Sequence, residues 1–371
     1  MQFSDVVGHT ALKQQLAREV DHDKISHAQL FLGDAGHGPL PLALSFIQYL
    51  FCENKQDADS CGECASCRKV SSCQHPDVHF SFPTIQAISK TSDGLIGDWR
   101  EQLNEQPYFD LNTWIKRIDV KERKPIISKD ESQEIIKKLA LRSYEGGYKV
   151  MVVWKAEEMN QSCANKLLKI LEEPPSKTLF ILLAESHEMM LQTILSRTQM
   201  VQVPRISQDD LSTFLRTKNV NSQMADAIAS RSGGNLLESL ESIGSNPEKD
   251  ENRELFMKLM RVCYKKNVID MIAWSEEMAD QSKEYQKEFL KYGLHMFRQS
   301  MLKNYTEDTL TNVTDQEDGF LNNFARFITG NNIFDFMEMF DKAHYHIERN
   351  AHGKILFTNL CFQVMRFIHK A

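Results

Sequence analysis

The chain has 371 residues, enough for two or three domains, and its 42% apolar and 26% charged content is that of an ordinary globular protein. No apolar run approaches the length of a membrane-spanning helix, and Met1-Gln2-Phe3-Ser4-Asp5-Val6 lacks the basic start and apolar segment of an export signal, so a cytoplasmic, membrane-free protein is expected. A net charge of −7 excludes a chain-wide nucleic-acid-binding surface and leaves room only for a local basic face.

Residues 3–28 open with Phe3-Ser4-Asp5-Val6-Val7-Gly8-His9 and continue as a helical stretch with Leu12, Leu16 and Val20 on one face. The apolar run Leu30-Phe31-Leu32 then leads into Gly33-Asp34-Ala35-Gly36-His37-Gly38-Pro39-Leu40, and a helical pattern follows at Leu42, Ala43, Phe46, Ile47 and Leu50. Strand, glycine-rich loop and helix in this order form a phosphate-binding loop, in which backbone N–H groups wrap phosphate at a helix N-terminus. Gly33, Gly36 and Gly38 stand in register. Pro39, however, occupies the position of the lysine that reaches the β- and γ-phosphates, and Leu40 that of the hydroxyl that holds magnesium. Pro39 removes a cation and one N–H, yet proline is tolerated in a first helical turn, so the fold is expected to survive while no functional ATP site remains.

Cys52, Cys61, Cys64 and Cys67 follow with the spacing C-x8-C-x2-C-x2-C. Each C-x2-C turn points two sulfurs at one ion, and four thiolates complete a tetrahedron with no open position, so a structural zinc site is expected in a module over about 52–77. Cys73, six residues on, is a competing ligand candidate, and Cys163, Cys263 and Cys361 sit singly in apolar contexts as core residues.

Alternation at Val78, Phe80 and Phe82 predicts a strand. Residues 84–124, with Trp99 and Trp114, are polar and mixed and read as an insertion or helical excursion. Ser128-Lys129-Asp130-Glu131 has capping-box spacing and opens a helix with Ile135, Ile136, Leu139 and Leu141. Buried strands are predicted at Tyr148–Trp154 and Leu179–Leu183, a helix over Asn160–Leu171, a short helix over Leu191–Leu195 and a last strand at Met200–Val203. Strands alternating with helices imply a doubly wound parallel sheet. After Pro204 short amphipathic helices surround Ser232-Gly233-Gly234-Asn235. From about 247 the chain is helical almost throughout, with core stripes at Phe320, Leu321, Phe324, Phe327 and Ile328 and at Ile333, Phe336, Met337 and Phe340.

Val7-Gly8-His9, His27-Ala28-Gln29-Leu30-Phe31, the cysteine cluster with His75-Pro76-Asp77, Tyr148-Lys149-Val150, Asn165-Lys166-Leu167-Leu168-Lys169-Ile170-Leu171-Glu172-Glu173-Pro174-Pro175 and Ser196-Arg197-Thr198 occur in that order over about residues 3–204. In these stretches the chain resembles the delta-prime family of clamp-loader subunits of bacterial DNA polymerase III, members of the AAA+ superfamily. The resemblance implies an α/β AAA+ core with a doubly wound parallel sheet over residues 1–204, a small helical lid domain over 205–246 and an all-α C-terminal collar, or oligomerisation, domain over 247–371. It places an Asp and a Glu of the acidic motif where this chain has Trp154 and Lys155, and a lid arginine where Leu236, Leu237 and Glu238 follow the Gly-Gly-Asn turn. Glu157 and Glu158, beyond the strand end, are expected to be solvated carboxylates. The Ser-Arg-Cys motif of the family reads Ser196-Arg197-Thr198 here, and the resemblance implies that Arg197 serves in trans as an arginine finger at a neighbouring subunit's nucleotide.

The expected function is therefore a non-hydrolysing stator of the bacterial clamp loader, no enzyme by itself, that assists ATP-dependent loading of the sliding clamp on primed DNA during replication. Its expected partners are the ATPase subunits and delta, and through them clamp and DNA. An active AAA+ motor is the alternative, marked by the lysine, hydroxyl and carboxylates missing here. A DNA-binding zinc module is disfavoured, because Glu53, Asp57, Asp59 and Glu63 outweigh Lys55, Arg68 and Lys69.

Overall fold

The computed structural model describes residues 1–121, 123–244, 247–305, 313, 315–349 and 351–370. It divides into two compact units, 1–243 and 244–371. The expected boundary at 246/247 falls beside residues 245 and 246, which lie outside the described residues.

The first unit is built on five parallel strands: β1 (Ala28–Leu32), β2 (Val78–Ser81), β3 (Lys149–Trp154), β4 (Thr178–Ala184) and β5 (Gln199–Gln202), in the order β2-β3-β4-β1-β5. Every residue of β1, β3 and β4 is buried, which is why they read as continuous apolar runs. Edge strand β5 buries only Val201. Alternate side chains serve two cores. On one face Phe31, Val150, Val152, Leu179 and Ile181 pack with helix α2 (Pro39–Phe51) and with Trp99 and Trp114. On the other, Leu30, Met151, Val153, Phe180 and Leu182 pack with α6 (Lys129–Ala140) and α7 (Gln161–Glu172). The sheet is thus covered on both faces, the doubly wound α/β class expected. The remaining helices of the core are α1 (Thr10–Asp21), α3 (Ala65–Ser71), α4 (Ile96–Glu105), α5 (Leu111–Ile118) and α8 (Gln192–Leu195).

One local reading changes. Ser128 caps α6 through the Asp130 N–H at 3.2 Å, but Glu131 does not close a capping box. It is buried, and its carboxylate accepts the Ser92 N–H at 2.8 Å and the Ser92 hydroxyl, anchoring the insert. The insertion or helical excursion read between 84 and 124 carries two helices, α4 and α5, packed around buried Trp99 and Trp114, whose rings meet edge-on at 5.3 Å.

Helices α9 (Gln208–Thr217), α10 (Ser222–Arg231) and α11 (Leu236–Gly244) have their own cluster of Ile206, Leu211, Leu215, Ala225, Ile228 and Leu236 within the first unit. The second unit comprises α12 (Pro247–Tyr264), α13 (Val268–Ala279), α14 (Lys283–Tyr305), α15 (Asp315–Phe324), α16 (Ile333–Glu348) and α17 (Gly353–Ile368). The two aromatic stripes are core there: Leu321, Phe324, Ile328, Phe336 and Phe340 are buried with Trp274, Cys263 and Cys361. Among the described residues no helix is long and apolar enough to cross a membrane.

Candidate functional site

The glycine-rich loop joins β1 to α2, and its glycines are consumed by packing against protein. A Cβ on Gly33 would stand 2.5 Å from the Val203 carbonyl oxygen, and one on Gly36 would overlap the Asn235 side-chain amide. Gly38 has φ of +84°, a left-handed conformation that favours glycine, and a Cβ there would stand 2.7 Å from the Tyr108 ring. Pro39 begins α2, and Leu40 is buried in the core.

Opposite the loop, the end of β3 carries no carboxylate. Trp154 is buried between Phe109 at 5.0 Å and Trp99 at 5.2 Å. Lys155 is also buried, and its ammonium pairs with the Glu185 carboxylate at 2.5 Å. The same Glu185 oxygen accepts the Ala35 N–H of the loop at 3.1 Å. Glu157 corrects the expectation of a solvated side chain. It turns back to accept the Glu185 N–H at 3.1 Å, its other oxygen is buried without a hydrogen-bond partner, and burial raises its pKa above the usual carboxylate value. Gly33, Ala35, Pro39, Pro107, Phe109, Trp154, Lys155 and Glu185 line a half-open depression beside the loop whose sheltered space is about 10 Å³, that of one water.

After Gly233-Gly234, the Asn235 side chain caps α11, accepting the Leu237 and Glu238 N–H groups at 3.0 and 3.2 Å. Leu236 is fully buried, so the chain supplies an apolar side chain where the resemblance implied an arginine.

Arg197 follows α8 and is held on three sides. Its Nε donates to Glu172 at 2.6 Å, with Nη2 on the same carboxylate oxygen, and Nη1 donates to the Thr193 carbonyl at 2.8 Å and the Ser196 hydroxyl at 3.1 Å. The guanidinium is one-third exposed and Glu172 is nearly half exposed.

The four candidate metal ligands converge. The Sγ atoms of Cys52, Cys61, Cys64 and Cys67 all lie within 4.8 Å of one another, with Cys52–Cys61 at 3.6 Å and Cys61–Cys67 at 3.9 Å. Zinc bound at about 2.3 Å in a tetrahedron sets its sulfurs about 3.8 Å apart, so the donors fit. The Cys61, Cys64 and Cys67 N–H groups donate to Cys52, Cys61 and Cys64 sulfurs at 3.2–3.4 Å, as thiolate ligands require. The Cys64 N–H, foremost, draws the Cys61 thiol down to about 7, while burial pushes Cys67 up. Cys52 ends α2 and Cys64 caps α3, so the cluster ties two helix termini together. Cys73 is outside it, buried in the core. His75 is no ligand: its Nε2 meets Glu145 at 3.1 Å and its Nδ1 accepts the Asp77 N–H at 3.2 Å. Asp77 in turn accepts the Tyr144 and Glu145 N–H groups at 2.7 and 2.9 Å, fixing the turn before β3.

Glu185, Tyr108 and Phe109 are the site residues that the sequence did not single out. Glu185 had a signal, a carboxylate just past the carboxyl end of a strand beside β1, where α/β sheets place ligand contacts. Tyr108 and Phe109 had none.

A model of the protein family described as DNA polymerase III, delta subunit, matches residues 8–207. The delta' subunit of DNA polymerase III from Bacillus subtilis is 28% identical over 251 residues, which is 68% of this chain and 64% of that protein. The tau subunit from the same organism is 23% identical over all of this chain and 62% of its own length. The chain therefore spans just under two thirds of these relatives. Among solved structures, a gamma-subunit-related protein from Thermotoga maritima aligns over 97% of this chain and 99% of its own, with 16% identity and a TM-score of 0.36.

Proposed function

The chain belongs to the family described as DNA polymerase III, delta subunit, and on that premise we propose that it is a clamp-loader subunit that hydrolyses no ATP itself and assists its ATPase neighbours. The observation that carries the reading is the loop's seat. Its glycines face protein, Glu185 takes up the Ala35 N–H, and Pro107, Phe109 and Trp154 line the depression beside it. Pro39, Leu40, Trp154 and Lys155 stand in place of the lysine, hydroxyl, magnesium ligand and base that phosphoryl transfer uses. In this reading residues 205–246 are the lid and 247–371 the collar that joins the subunits.

Arg197 is the residue that acts. A finger needs a permanent planar cation at a fixed position, and the Thr193 carbonyl and Ser196 hydroxyl hold the guanidinium by one nitrogen. Its partner Glu172 is nearly half exposed, and a pair of that kind contributes only about 0–1 kcal/mol. Exchanging it for a neighbour's γ-phosphate is therefore cheap. Zinc held by Cys52, Cys61, Cys64 and Cys67 supplies a cross-link and no chemistry.

Reconstitution tests the proposal. The chain combined with ATPase subunits and delta completes a loader that places clamps on primed DNA, while the isolated chain turns over no ATP. Turnover by the isolated chain overturns it.

A further inference from the structure

The insert between β2 and α6 brings one tripeptide, Pro107-Tyr108-Phe109, over the loop. Phe109 is 2% exposed, lies 5.0 Å from Trp154 and shares with Pro107 the wall of the small cavity opposite Gly33, Ala35 and Pro39. Tyr108 points elsewhere. Its ring abuts Gly38, its hydroxyl accepts the Val7 N–H at 3.0 Å, and it is buried in the cluster of Ile206, Leu211, Leu215 and Leu236 that forms the core of α9–α11. One side chain thus touches the loop, the N-terminal segment and the three-helix unit, and its neighbour touches the end of β3.

The tripeptide is held rigidly from behind. Phe82 stacks on Trp99 at 4.4 Å and meets Trp114 edge-on at 5.0 Å, and the Trp114 indole N–H donates to the Pro83 carbonyl at 2.9 Å. Asp110, the next residue, caps α5 through the Thr113 N–H at 2.8 Å. Two helices therefore fix both ends of a three-residue bridge, and little freedom is left in it.

We infer that Pro107–Phe109 is a built-in occupant of the loop's seat, joining the sheet core to α9–α11 where a nucleotide would otherwise lie between them. The inference deepens the reading given under "Proposed function" and rests on that seat being a degenerate nucleotide site. Residues 84–124 thereby gain a role, which is to keep the three-helix unit in one position whatever the ATP concentration. The packing of Asn235 on Gly36 adds a second contact between the same parts.

Amide hydrogen exchange of the full chain tests it, with and without saturating Mg-ATP, in the unmodified protein and in Tyr108→Ala and Tyr108→Phe variants. Mg-ATP leaves α9–α11 exchange unchanged in the unmodified chain. Tyr108→Ala speeds exchange in α9–α11 by roughly tenfold or more while β1, β3 and β4 keep their protection, as loss of a local bridge requires. Tyr108→Phe, which keeps the ring and loses the bond to Val7, retains most of the protection. The inference is overturned if Mg-ATP slows α9–α11 exchange in the unmodified chain. It is equally overturned if Tyr108→Ala leaves those helices unchanged, or loosens the sheet as much as the helices. Clamp loading by the reconstituted assembly reads the proposed function separately and enters none of these outcomes.

Discussion

Glu185 and Ala35 are joined by a hydrogen bond of 3.1 Å in which the loop's backbone N–H donates to the chain's own carboxylate. Lys155, 2.5 Å from the same oxygen, balances the charge. The loop therefore keeps the electrostatic habit of an anion-binding turn while an internal anion uses it.

Restoring the missing loop side chains does not restore the site. A Pro39→Lys, Leu40→Thr double variant still faces the Glu185 carboxylate and the Phe109 wall, so calorimetry with Mg-ATP registers no binding heat. Micromolar binding by this variant would show that the two side chains alone had closed the site.

Metal analysis finds one zinc per chain, and Cys64→Ser abolishes it. Because binding energy at such a site is folding energy, chelation or Cys64→Ser lowers the unfolding midpoint of the first unit and leaves that of the helical second unit in place. Full zinc content in Cys64→Ser would refute the ligand set.

Arg197→Ala in a reconstituted loader lowers ATPase and clamp loading on the order of tenfold, less than the ~10³-fold of single-site systems because other active sites in the assembly continue. Assembly and zinc content stay normal. Arg197→Lys does not rescue, since an ammonium lacks the planar fork. Glu172→Ala changes stability by less than about 1 kcal/mol. Unmodified rates with Arg197→Ala would reduce Arg197 to a surface residue.

Stability falls as pH drops below about 6.5, the ordinary histidine value. Burial, the leading cause in each case, lowers the pKa of His9, His37 and His79. The folded state therefore resists protons that the unfolded chain accepts. The stabilisation is complete above the unfolded value and is lost as pH falls through the window down to the folded values. Urea midpoints at pH 7.5, 6.5 and 5.5, with zinc content checked at each, should decline in that order, and a flat series contradicts the argument.

The parts of the site that could be read in advance are those whose cause is local. Val150–Val153 and Leu179–Leu183 announce buried parallel strands because both faces of each are covered, and the cysteine spacing is itself the geometry of a metal turn. The unread parts depend on partners far along the chain. Trp99 and Trp114 mark no helix face until Phe82 and Trp154 are known to lie beside them. Glu131 satisfies a capping spacing, yet the buried Ser92 competes for its carboxylate and wins. Glu157 stands in a polar run and is nonetheless drawn inward by the Glu185 N–H.

The strand order has a consequence for the order of events during synthesis. Strand β1 pairs only with β4 and β5, through registers such as Ala28↔Phe180 and Leu30↔Met200, so its partners are translated about 150 to 170 residues later. At about 5–20 residues per second the ribosome needs roughly 8 to 30 s to deliver them. Throughout that interval β1 waits with both edges unpaired. The cysteine hairpin between Cys52 and Cys67 closes within a short stretch of chain. With the zinc proposed above bound there, it is a cross-link available to hold the far end of α2 while the nascent chain waits for the rest of its sheet.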